Sequence, residues 1–128
     1  MSGVIEFSVP SIPPSVNGYW KVKRFGGRYV SAEGVAFKKL VAQHVHFKRV
    51  GAGKRDVKYQ LVIKLSSPGW ITKKKTIKKQ DLDNFGKACC DALSEGLFIC
   101  DSQIFELHMY KVLSKEISTH FVLSELPS

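Results

Sequence analysis

The sequence predicts an α+β (mixed α/β) fold: a single domain in which two main helices pack on a small mixed β-sheet. Three observations predict it. Apolar and polar residues alternate in several separate stretches, the period of a half-buried strand. Two other stretches repeat apolar residues every three or four positions, the period of a helix face. The chain has 128 residues, 44% of them hydrophobic, enough for one core without disulfide staples.

In chain order, Ile5, Phe7 and Val9 alternate with Glu6 and Ser8 and predict a first strand that stops at Pro10. Pro13-Pro14-Ser15-Val16-Asn17 follows as a stiff connection that could aim Asn17 and Tyr19 at a partner. Trp20-Lys21-Val22-Lys23 and Arg28-Tyr29-Val30 flank Phe25-Gly26-Gly27 and predict a hairpin turning on the glycines. Ser31 reads as an N-cap, Glu33 lies in the first turn, and Phe37, Leu40, Val41 and Val45 carry a helix to about Arg49. Gly51-Ala52-Gly53 should end it. Tyr59, Leu61, Ile63 and Leu65 predict a core strand, stopped by Pro68-Gly69. Residues 70–80 have weak periodicity and five lysines, and read as a mobile basic loop ordered by phosphate.

Asp83 or Asn84 starts a second helix with Phe85, Ala88, Cys89, Ala92 and Leu93 along its apolar stripe, and Gly96 ends it. Phe105, Leu107 and Met109, then Phe121 and Leu123, predict two last strands joined by a turn near residues 114–118. Cys89, Cys90 and Cys100 lack metal-ligand spacing and lie in apolar patterns, so they read as reduced core residues of a cytosolic protein. His44 and His46 fall on different helix faces and make a poor ligand pair. No secretory leader or membrane-spanning run is expected, and no membrane partner.

The charge narrows the partners. A formal net charge of +9 points to a polyanion. Two basic groups stand out as DNA-binding candidates: Lys73, Lys74, Lys75, Lys78 and Lys79 in the loop, and Lys21, Lys23, Arg24 and Arg28 in the hairpin. Trp20 and Tyr29 are interleaved with the second group, where they could stack on bases or simply pair across the hairpin. Directly after the lysine loop comes an acidic pair, Asp81 and Asp83. Asp residues there could cap a helix, or could hold a metal ion against a phosphate-binding face. Asp101 tests the second idea. A helix from Asn84 to Glu95 carries the chain away by roughly 18 Å, and an extended return from Leu97 covers roughly 17 Å. Asp101 is therefore expected beside the helix start, with Lys87 one turn along from Asp83.

The run Asp81-Leu82-Asp83-Asn84-Phe85-Gly86-Lys87, followed by Asp91-Ala92-Leu93 and Asp101-Ser102-Gln103-Ile104, resembles the RusA family of Holliday-junction resolvases. Pro13-Pro14-Ser15-Val16-Asn17 and Ser31-Ala32-Glu33-Gly34 match two further stretches of that family. The resemblance implies a homodimeric, Mg²⁺-dependent endonuclease of phage or prophage type that cuts four-way DNA junctions symmetrically. Mn²⁺ could replace Mg²⁺. It also implies that Asp81, Asp83, Asp101 and Lys87 are catalytic, the three acids as metal ligands. Two departures mark this chain: it is one residue shorter before Asp101, and Cys100 stands where an additional Asp is found. Two rivals remain open at this point. One is a basic architectural DNA-binding protein whose acids only cap a helix; the other takes D-x-D as a nucleotide-sugar or phosphotransferase metal site.

Overall fold

The structure is a computed structural model and describes residues 4–47 and 54–127. Four strands form one sheet in the order β1 (Val4–Val9), β6 (Ser118–Glu125), β4 (Tyr59–Ser67), β5 (Ile104–Leu113). β1–β6 and β6–β4 are antiparallel, whereas β4–β5 are parallel. A short helix α1 (Val16–Tyr19) leads into a separate hairpin of β2 (Trp20–Val22) and β3 (Arg28–Val30). The two main helices are α2 (Ala32–Phe47) and α3 (Gly86–Leu97). This is the α+β single domain that the alternation and helical periods predict. The predicted end of the first long helix, at residues 49–53, lies outside the described residues.

Strand alternation decides which sheet face the helices cover. Tyr59, Leu61, Ile63 and Leu65 of β4 are all buried, as are Phe121 and Leu123 of β6 and Phe7 and Val9 of β1. Facing them are Phe37, Val41 and Val45 from α2, and Cys89, Ala92, Leu93 and Leu97 from α3. Each such aliphatic side chain contributes about 1.5–3 kcal/mol on burial. Phe7 and Phe121, opposite each other in register, stack with centroids 5.1 Å apart.

Four local expectations change. α3 does not stop at Gly96 but runs to Leu97, and Phe98 takes the left-handed conformation that ends it, with φ 57°. Gly96 instead lies against Val41 and Val45, where an added Cβ would sit 3.7 Å from each side chain. Its small size serves the α2–α3 contact. At the other end, α3 is preceded by a 3-10 turn, Leu82–Phe85, with Asp81 at its N-cap position. Residues 71–77 form a small closed hairpin: Ile71 bridges Ile77, and the Lys75 and Thr72 amides donate to Thr72 O (2.9 Å) and Thr76 O (2.8 Å). Of the cysteines only Cys89 is a core residue; Cys90 is half-buried and Cys100 exposed, and all three are free. Cys100 leaves the core because the chain has already turned out of α3.

Ser31 caps α2 as expected, accepting from the Gly34 amide at 3.1 Å, while its hydroxyl donates to Gly18 O at 2.6 Å. That seats the start of α2 on α1. Gly34 is needed there: a Cβ would come within 2.6 Å of Val30 Cγ1 and 2.8 Å of Tyr19 Cδ1. Alanine normally stabilises a helix interior by roughly 0.5–1 kcal/mol relative to glycine. At this site the clash wins. Gly34→Ala is expected to lower stability by about 1–3 kcal/mol, read from the urea midpoint; a gain in stability would contradict the close approach.

Candidate active site

The site is built where β4 hands the chain to α3. Trp70 anchors that passage: it is buried, its Nε1 donates to Leu65 O at 2.9 Å, and its ring meets Phe85 edge-on at 5.5 Å. Between these two aromatics the chain makes its lysine excursion and returns as Gln80-Asp81. Beside the return lies an open hollow of about 590 Å³, lined by Ile77, Lys78, Lys79, Gln80, Asp81, Asn84 and Lys111. Three ammonium groups thus border a carboxylate. Lys111 comes from β5; its Nζ lies 5.2 Å from the Trp70 ring centroid and donates to Gln80 O. Strand periodicity offered no signal for it. Asn84 was legible as a helix start and as part of the D-L-D-N run.

Asp81 and Asp83 are both exposed. Asp81 makes no side-chain capping bond, so the capping role that its position suggested is not used. Among the described residues, neither acid enters an ion pair. Two exposed carboxylates, flanking Leu82 and left without protein partners, match the donor set of a hard divalent cation, which takes one or two carboxylates and completes its shell with water and phosphate.

Lys87 lies in the first turn of α3 and is ion-paired to Asp91, with Nζ 3.1 Å from Oδ1. The other oxygen of Asp91, Oδ2, accepts a 2.7 Å hydrogen bond from the Tyr19 hydroxyl. Tyr19 is completely buried, so it does not reach outward to a partner as the stiff proline segment suggested. Asn17, on the same short helix, is exposed.

Asp101 is not at the start of α3. It accepts a short hydrogen bond from Ser94 Oγ, and Ser94 is eight residues beyond Gly86, roughly 12 Å along the helix. The return after Leu97 is too brief for the expected juxtaposition: a 3-10 turn at Asp101–Gln103 intervenes, and β5 begins at Ile104. Parallel pairing with β4 requires β5 to start at the far end of the sheet. Among the described residues, no three His, Cys, Asp or Glu side chains converge on one metal-sized point. In the protomer the Asp101 side chain is engaged by Ser94, about two turns along α3 from the Asp81–Asp83 pair. Gln103 explains the Asp-x-Gln spacing: its side chain accepts from Cys100 N (2.9 Å) and donates to Lys54 O (2.8 Å) and Val57 O (3.1 Å).

Both basic groups face solvent. Lys21, Lys23, Arg24 and Arg28 are all exposed on the hairpin, and Lys73, Lys74, Lys75, Lys78 and Lys79 are exposed on the loop. Arg28 covers the Trp20 ring at 4.3 Å, and Tyr19 meets Trp20 edge-on at 5.0 Å. Phe25, unremarked in the sequence beyond its place in the turn, is 94% exposed at the hairpin tip. Gly26 and Gly27 (φ 101° and 76°) supply the turn that pushes it outward.

The family model described as Endodeoxyribonuclease RusA matches residues 10–122. The crossover junction endodeoxyribonucleases RusA of Escherichia coli strain K12 and of strain UTI89 are each 30% identical over 101 residues, covering 78% of this chain and 77% of theirs.

The thiols near the site are chemically quiet. The Cys90 thiol is pushed up to about 11, first by burial, then by the Asp101 and Asp91 carboxylates, with Lys87 pulling it down. Burial holds Cys89 well above the usual thiol range as well. At about pH 8 an alkylating agent is expected to modify Cys100 in the native protein and to spare Cys89 and Cys90 until denaturant is added. The Cys90 value lies above that of an unfolded thiol, so its protection should persist through pH 9 and fall away only towards about 11. Labelling followed by mass spectrometry reads this out; rapid Cys90 modification at about pH 8 would contradict the packing.

Proposed function

The chain belongs to the RusA endodeoxyribonuclease family, and from that membership we propose that it resolves four-way (Holliday) DNA junctions by Mg²⁺-dependent phosphodiester hydrolysis, in recombination, repair or phage DNA processing. The observation that carries this reading is the hollow where Asp81 and Asn84 meet Lys78, Lys79 and Lys111. A purely architectural DNA binder has no use for uncapped, unpaired carboxylates in its most cationic region, because they repel the phosphates that the lysines attract.

Asp81 and Asp83 are the residues that would hold Mg²⁺, with Mn²⁺ as a substitute. The ion would supply Lewis-acid activation of water and neutralisation of charge at phosphorus. Lys87 places an ammonium one turn beyond the acids, where it would contact the scissile phosphate and stabilise charge developing on its oxygens. Asp101 lies past the end of α3, where it accepts from Ser94 Oγ in the protomer. The lysine loop and the hairpin would hold the backbone through counterion release, a contact that carries little sequence information. Asn17 would add a neutral contact close to α3.

A homodimer fits the two-fold character of a four-way junction. The surface we propose for it is the free edge of β5, the outermost strand of the sheet beside β4. Phe105, Leu107, Tyr110, Val112 and Leu113 are all exposed on this ten-residue strand. Long apolar edges are normally covered or broken by charge. Leu107→Lys is expected to give a folded monomer in light scattering; an unchanged dimer would reject this surface.

The activity is tested with Asp81→Asn. With Mg²⁺, the native protein should nick synthetic four-way junctions and the variant should be slower by roughly 10²-fold or more, with junction binding retained or tightened. Chelator should silence the native protein to the same degree. Normal cutting by Asp81→Asn would remove the proposed metal site. A triple Lys73, Lys74, Lys75→Ala variant should flatten the dependence of log affinity on log salt by roughly 0.9 per lost phosphate contact. An unchanged slope would place those lysines away from DNA.

A further inference from the structure

We infer that Tyr19 and Asp91 are positioning residues, a buried hydroxyl and a carboxylate that together hold the Lys87 ammonium in place for the phosphate. The inference rests on the reading of Lys87 as the phosphate-contacting lysine.

Helix spacing alone does not account for the Lys87–Asp91 pair. An exposed i,i+4 pair contributes little to stability, and the order here, cation before anion, is the less favourable one in a helix. Such a pair should exchange with water. What differs in this protein is the far side of the carboxylate. Asp91 is only 15% exposed against 45% for Lys87, and its Oδ2 is occupied by Tyr19 while Oδ1 takes Lys87. The two oxygens are thus divided between a fixed partner and a functional one. Lys87 keeps its remaining N–H donors for a ligand.

The fixed partner is itself well anchored. Tyr19 is fully buried, its backbone carbonyl accepts from Ser31 N at 2.7 Å, and its ring packs against the Gly34 backbone of α2 closely enough to exclude a Cβ. Burial, and then the hydrogen bond to Asp91, raise its hydroxyl far above the ordinary tyrosine value, with the Asp91, Glu95 and Asp101 charges adding to the effect. The hydroxyl is therefore always a donor at working pH, and the polarity of the contact to Asp91 is fixed. The groups facing this contact are Lys87, Glu95, Asp101 and, over the Tyr19 ring at 5.8 Å, Lys38, which is itself paired to Glu95 at 2.6 Å. Tyr19 also joins two functional regions, since the next residue, Trp20, opens the basic hairpin and lies edge-on to it. The chain from hairpin to Lys87 therefore has only two side chains, Tyr19 and Asp91.

The test uses Tyr19→Phe, which keeps the ring, and Asp91→Asn, which keeps an acceptor for Tyr19 but removes the ion pair. Two quantities are measured at a temperature where circular dichroism finds each variant folded. The first is the mobility of the Lys87 side chain in the free protein, by NMR relaxation of its labelled Cε and Nζ. The second is single-turnover cutting of pre-bound junction in Mg²⁺, alongside junction affinity. Both variants are expected to loosen Lys87 and to slow cutting about tenfold, with affinity unchanged. A Lys87 that stays as rigid in both variants as in the native protein overturns the inference, as does cutting at the native rate. Slower cutting that arises wholly from weaker binding overturns it too. If the native protein leaves junctions uncut, the nuclease reading fails, and the mobility measurement still decides whether Tyr19 and Asp91 hold Lys87.

Discussion

The parallel pairing of β4 and β5 is the constraint on which the rest depends. Two parallel neighbours cannot be joined by a tight turn, so the chain must cross from one end of the sheet to the other. It does so through the lysine hairpin, a 3-10 turn and α3. The crossover positions the candidate site: it puts an exposed excursion and a helix start at the carboxyl end of a core strand, where loops are free to bind ligands. It also separates the acids. Asp81 and Asp83 fall at the beginning of α3, and Asp101 falls past its end, tied to Ser94.

Charge is arranged along the same path. Lysines surround the entry to α3, two carboxylates unpaired among the described residues stand within them, and Lys87 follows on the first turn of the helix. In the proposed reading, a cationic rim would draw in the phosphate backbone over a screening distance of about 8 Å at physiological salt. The carboxylates oppose that attraction unless a cation lies between them and the DNA. Binding alone would be served better by neutral residues at 81 and 83. Hydrolysis gives their presence a reason.

Much of this was legible in the sequence because it rests on local pattern. The buried alternation of Tyr59, Leu61, Ile63 and Leu65, the Ser31 cap and the glycine-turned hairpin each follow from a period or a residue preference, and each is found. The Asp81–Lys87 run was legible as a motif. What depends on tertiary geometry was not. Gly96 reads as a helix stop, yet it serves the contact with Val41 and Val45 while Phe98 ends the helix. The displacement of Asp101 follows from strand direction, and alternation cannot distinguish parallel from antiparallel neighbours. Tyr19 beside Asn17 suggested a pair aimed outward, but the short helix directs one residue to solvent and buries the other against Asp91. Lys111 gave no signal, since a lysine in an edge strand is unremarkable until the chain before Asp81 is seen folded over it.

Mapping the cut positions on both strands of a synthetic four-way junction tests the central claim most directly. With Mg²⁺, the account predicts nicks at symmetry-related positions on two strands of like polarity, and none in linear duplex of the same sequence. Cutting of linear duplex as readily as junction, or tight junction binding without cleavage at any metal concentration, would contradict it.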